Sequence, residues 1–199
     1  MTNNPLKVAL APYRIILASG SPRRQQFFKE MGLDFEVRLK PVKEIYPEEL
    51  KGAEISDYLS CLKADSLKNT LVSGEILITS DTVVWHEGRS LAKPANKGEA
   101  FEMLKTLSDN SHNVITSVCF TTTKGQKVIN STTEVTFDKL SDEEIGYYID
   151  KHKPFDKAGG YGIQEWIGLI GITKVKGSYT NVVGLPTHLV YKTLKEMID

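Results

Sequence analysis

The run Ser19-Gly20-Ser21-Pro22-Arg23-Arg24 constrains this chain most, because it joins a short apolar stretch, Ile15-Ile16-Leu17, to a segment with helical punctuation. Ser21 is a good N-cap, Pro22 suits the first helical position, and the pattern runs to Met31 with Gly32 as its stop. A strand that turns this tightly into a helix leaves unpaired N–H groups above its own end, with two guanidinium groups beside them. A phosphate site satisfies that pattern, and so does an ordinary capped helix with two solvated arginines.

Further along, residues 35–39 alternate as a second strand, so the chain opens strand-helix-strand. Pro41, Pro47 and clustered charge make 40–52 a loop, and the spacing of Ile55, Tyr58, Leu59 and Leu62 predicts a helix over 55–69. Residues 75–85 read as a buried strand interrupted by the polar pair Asp81-Thr82, followed by a Glu87-Gly88 turn and a short return to Leu91. A helix over 97–107 precedes two runs rich in Val, Ile, Thr and Phe, 112–123 and 126–137, that flank Lys124-Gly125 as an antiparallel hairpin. Ser141-Asp142-Glu143-Glu144 has the spacing of a capping box, opening a helix to Lys151. Then come a glycine-rich stretch from 156 to 164, an apolar strand over 166–175, a polar helix start at Ser178 and Asn181, and a last helix over 186–197. This alternation predicts an α/β fold with a mixed, curved sheet flanked by helices, all in one domain over 1–199.

Charge limits the choice of ligand. The 25 basic and 25 acidic side chains cancel, so no global field draws in nucleic acid or an anionic membrane, and an anionic ligand must be held by a local arrangement. Two cysteines, Cys61 and Cys119, suit small core residues in a reducing compartment better than a disulfide framework or a zinc site. No segment has the sustained apolar run of a leader or a bilayer span, and the expectation is a cytoplasmic protein.

Asp81 is costly inside an apolar strand unless it meets a cation, a metal or hydrogen-bond donors; otherwise the strand ends at Ser80 and Asp81 begins a turn. Glu44 alone reads as a solvated acid, but paired with Asp81 across a cleft it would supply the hard oxygen ligands that hold magnesium or manganese beside a polyphosphate. Lys63, Lys93 before Pro94, and Lys157 are each surface-like taken singly, and only their convergence would matter. The glycines of 156–162 could let backbone N–H groups approach a ligand, and Gln164 can both donate and accept, as reading a pyrimidine edge requires. The four histidines lie in unlike contexts, and neither a nucleophile elbow nor a P-loop is present. Hydrolysis by a metal-activated water with a carboxylate base is the chemistry these residues best support.

Ser19-Gly-Ser-Pro-Arg-Arg24, Ser80-Asp-Thr-Val-Val84, Lys93-Pro94, Asp156-Lys-Ala-Gly-Gly-Tyr-Gly-Ile-Gln164 and Gly177-Ser-Tyr-Thr-Asn-Val-Val-Gly-Leu-Pro186 together resemble the Maf family over nearly the whole chain. The resemblance implies a fold related to the inosine triphosphate pyrophosphatases, with two lobes around a central cleft. It also implies hydrolysis of nucleoside triphosphates between the α and β phosphates, with a divalent cation (Mg, Mn or Co), and makes a homodimer plausible. By the same likeness Ser19, Arg23 and Arg24 match the phosphate-binding start, Glu44 and Lys63 the loop acid and helix lysine, Asp81 the general base, and Lys93 and Lys157 further cleft cations. Arg24, Thr82 and Gln164 match positions linked to base choice, and the motif resembles the dTTP/UTP branch. Three departures stand out: Ser80 and Gly160 where alanine is usual, and Glu165-Trp166 where a glycine is typical. The 7-methyl-GTP branch of the same family and a nucleotide-binding regulator of septation remain alternative readings.

Overall fold

The computed structural model describes residues 4–198. A short helix, α1 (Pro5–Ala9), comes first, without a counterpart among the expected elements; it is capped by Asn4, whose side chain accepts from the Leu6 and Lys7 amides. The apolar run then forms β1 (Arg14–Leu17), with Ile15, Ile16 and Leu17 all buried. α2 (Pro22–Glu30) leads to β2 (Glu36–Val37), which lies parallel to one side of β1, and α3 (Ala53–Asp65) leads to β3 (Glu75–His86), parallel to its other side. The chain therefore leaves β1 in both directions, and the switch point at which open α/β sheets hold ligands lies at the C-terminal end of β1, beside the middle of β3, which runs on past it.

β3 turns through Glu87 and Gly88, both at positive φ as a type I′ turn demands, into β4 (Arg89–Leu91). After α4 (Lys97–Leu107), β5 (Ser111–Thr122) pairs antiparallel with β3 and with β6 (Gly125–Phe137). α5 (Asp142–His152) begins with the expected capping box. α6 (Trp166–Gly171), β7 (Ile172–Lys176), α7 (Tyr179–Val183) and α8 (Thr187–Glu196) complete a seven-stranded mixed sheet in the order β2-β1-β3-β5-β6-β7, with β4 on β3.

The pleat of β3 decides where the site stands. Alternate residues face opposite sides, so Leu77 packs with Ile16, Cys119 and Ala64 of α3, while Ile76 and Ile78 pack with Phe28 of α2 and with Val190 and Leu194 of α8. By the same alternation Asp81 shares the α3 face with Thr79 and Val83, and Thr82 shares the α2 face with Ile78 and Val84. α3 lies close to the sheet because Ser56, Ser60 and Ala64, spaced by four, present only small side chains to it, all fully buried. Ser117 Oγ lies 2.7 Å from Ser56 Oγ, and Thr79 Oγ1 donates to the Ser60 carbonyl at 2.7 Å.

Three expected elements differ. The strand expected over 166–175 is α6 followed by β7: the Glu165 carbonyl accepts from the Gly168 amide, and a Cβ on Gly168 would stand 1.9 Å from the Ile163 carbonyl oxygen, so only glycine permits this turn of helix. A short apolar run carries too little periodicity to separate the two. The helix expected over 55–69 starts at Ala53 and stops at Asp65, with a separate 3₁₀ turn at Lys68–Thr70. The strand expected over 35–39 keeps only Glu36–Val37, an exposed edge pair.

Candidate active site

Two adjoining cavities, about 390 Å³ and 610 Å³, share Arg23, Arg24, Glu44, Lys63, Lys93 and Asp156. The smaller also holds Asp81, Thr82, Lys157 and Gln164; the larger holds Ser19 and Gly20. The structure therefore brings every singled-out residue to one cleft at the switch point.

β3 does not end at Ser80. Asp81 pairs in register with Ser117 and Thr82 with Thr116, and Asp81 is 8% exposed. The cost of burying that carboxylate is offset by Lys63, from the last turn of α3, whose Nζ stands 2.5 Å from Asp81 Oδ1 and 2.9 Å from Glu44 Oε1. One ammonium thus draws together an acid from a strand and an acid from a loop. Burial pushes the Glu44 carboxyl up, but Lys63, Lys93 and Arg24 outweigh it and hold it below the usual range.

On the other face of β3, Arg24 spends three donors on protein: Nε on the Gly184 carbonyl at 2.8 Å, Nη1 on the Ser80 carbonyl at 2.9 Å and Nη2 on Thr82 Oγ1 at 3.0 Å. Burial lowers its pKa, and Asp81 opposes that shift. Thr116 Oγ1 donates to the Asn181 carbonyl at 3.0 Å, so its own oxygen must accept from Thr82, 2.9 Å away. Thr82, its proton committed and one lone pair given to Arg24, can offer the cleft only an acceptor.

Two local expectations need correction. Ser21 precedes α2 but makes no side-chain cap; its amide donates instead to Ser19 Oγ at 3.3 Å. The three glycines of the 156–164 stretch do not present their own amides to a ligand, because Gly159 N–H is spent on the Ala92 carbonyl, Gly160 N–H on the Lys157 carbonyl and Gly162 N–H on Tyr148 Oη. Its glycines serve packing: at φ +70° a Cβ on Gly159 would stand 3.0 Å from Val84 Cγ1.

Sequence reasoning misses Thr116 and Tyr148, and marks Glu165 as a departure without giving it a role. For Thr116 a signal exists: Thr116-Ser117 breaks an apolar strand just as Asp81-Thr82 does, and the two polar breaks pair with each other. Tyr148 and Glu165 meet only through the fold.

Fold and site define an α/β protein with a cation-lined, carboxylate-bearing cleft where β1 ends and its parallel neighbour β3 runs on. The Maf-like protein family matches residues 14–197, and the chain belongs to that family. A protein of Flavobacterium johnsoniae named dTTP/UTP pyrophosphatase is 57% identical over 193 residues, 97% of this chain and 100% of its own. One of the same name from Flavobacterium psychrophilum is 61% identical over 178 residues, 89% of this chain and 91% of its own. In fold the chain is similar to the Staphylococcus aureus Ham1 protein, with a TM-score of 0.53 at 14% identity, covering 92% of this chain and 99% of that one.

Proposed function

We propose that this chain is a nucleoside triphosphate pyrophosphatase that hydrolyses dTTP and UTP to the nucleoside monophosphate and pyrophosphate, with Asp81 as general base. The observation that carries the reading is the Glu44–Lys63–Asp81 cluster set among Arg23, Lys93 and Lys157. The names of its relatives support the substrate class.

Glu44 and Asp81 fit a hard divalent cation, since their carboxylates already converge on one positive charge. Two carboxylates would leave the other positions to water and phosphate oxygens, the arrangement magnesium favours and manganese or cobalt can share. Such a cation would polarise the phosphoryl group and lower the pKa of bound water. Arg23, Lys93 and Lys157 neutralise the phosphates, Ser19 borders them, and Asp81 takes the proton of the attacking water. In the smaller cavity, Thr82 as an acceptor suits the N3–H of uracil or thymine, and the exposed amide of Gln164 suits a ring carbonyl.

No helix among the described residues is long and apolar enough to cross a membrane. The free thiols Cys61 and Cys119 support a cytoplasmic setting, and the exposed Leu169 and Ile170 of α6 support a homodimer. Pyrophosphate release from dTTP, UTP, CTP and 7-methyl-GTP, with magnesium, manganese and cobalt compared, tests the reading. Turnover led by dTTP and UTP is expected; turnover led by 7-methyl-GTP, or tight binding without release from any of them, contradicts it.

A further inference from the structure

Lys157 has two carboxylate partners of opposite character. Asp156 Oδ1 stands 2.7 Å from its Nζ and Glu165 Oε1 3.2 Å. The Asp156 side chain is 63% exposed, and its other oxygen lies 3.4 Å from Arg23 Nη1, so one carboxylate bridges two cleft cations as a phosphate would. Glu165 is 19% exposed and anchored from behind: buried Tyr148 donates its hydroxyl proton to Glu165 Oε2 and accepts the Gly162 N–H at 3.0 Å. Gly162 completes the fit, since a Cβ there would stand 2.9 Å from Glu165 Cδ. Charge thus alternates from cleft mouth to core as Arg23, Asp156, Lys157, Glu165, and ends on a neutral phenol.

We propose that these two acids play separate parts in phosphate capture. Glu165 is a positioning residue that stays on Lys157 and aims it into the cleft, while Asp156 is a placeholder that a phosphate displaces from Arg23 and Lys157. The proposal rests on the phosphate-binding reading of the cleft. It also gives the departure at position 165 a role, because a glycine there could neither hold Lys157 nor accept from Tyr148.

The division predicts opposite signs for the same change of charge. Asp156→Asn removes the competitor, whereas Glu165→Gln removes the anchor and turns either an amide N–H₂ or a weaker acceptor toward the ammonium. Tyr148→Phe keeps every charge and frees Glu165 from its support. Calorimetric titration of the full chain with inorganic pyrophosphate, in chelator, tests the division, alongside thermal melts that confirm each variant is folded. Asp156→Asn is expected to bind about threefold tighter, and Glu165→Gln and Tyr148→Phe about fivefold or more weaker, in line with single ion-pair and charged hydrogen-bond effects. Tighter binding in both Asp156→Asn and Glu165→Gln would reduce the effect to net charge and overturn the division, as would unchanged affinity in Tyr148→Phe. If the parent chain binds neither pyrophosphate nor dTTP, the phosphate reading itself fails, a result distinct from either of these.

Discussion

Thr82 shows how a single proton can set what a cleft accepts. Its hydroxyl is one link in a directed chain from Arg24 to the Asn181 carbonyl, and the direction follows from the fact that a carbonyl only accepts. On the proposed function a base carrying N3–H would gain a partner at Thr82, whereas cytosine, with a lone pair at that position, would meet another lone pair. Thr82→Val therefore lowers kcat/KM for UTP relative to CTP by about tenfold, a change of the size of one lost polar contact, measured by competing the two nucleotides. An unchanged ratio removes Thr82 from base reading.

Among the elements, the glycine-rich stretch after α5 shows most clearly what is legible in the sequence and what is not. Its glycines are visible, but their purpose is not, because the constraint is a contact with Val84 on a distant strand. Gly159→Ala is expected to destabilise by about 1–3 kcal/mol, from strain at positive φ and the clash with Val84, read as a lower denaturation midpoint. The same stretch is pinned by Tyr161, whose hydroxyl meets His112 Nε2 at 2.7 Å. Burial first, and His86 second, push the His112 pKa down to about 4 from 6.5. The neutral ring is the form the fold prefers, so its stabilisation is complete above about pH 6.5 and is lost as pH falls toward 4, by roughly 2–3 kcal/mol. Melting temperature followed across that range should fall less in His112→Gln than in the parent chain; parallel curves would show that His112 does not carry the dependence.

At the scale of the whole molecule, local punctuation is readable from the chain and partnership is not. The capping box at Ser141, the turn at Glu87-Gly88 and the passage from β1 into α2 are written in neighbouring residues and stand as expected, whereas α1 ahead of them is not. The polar pair Asp81-Thr82 announces a site, but the reason the two residues serve different faces of one strand lies in the sheet's pleat and in α2 and α3 on its opposite sides. Glu44 is indistinguishable from a solvated acid until Lys63 stands beside it. If the assembled cleft hydrolyses the triphosphate through Asp81, the most direct measurement is pyrophosphate release from dTTP by Asp81→Asn against the parent chain, with metal binding followed separately. A fall of about 10²- to 10⁴-fold in kcat, the range of a lost general base, is the predicted result; parent-level turnover in Asp81→Asn with its metal bound would contradict it.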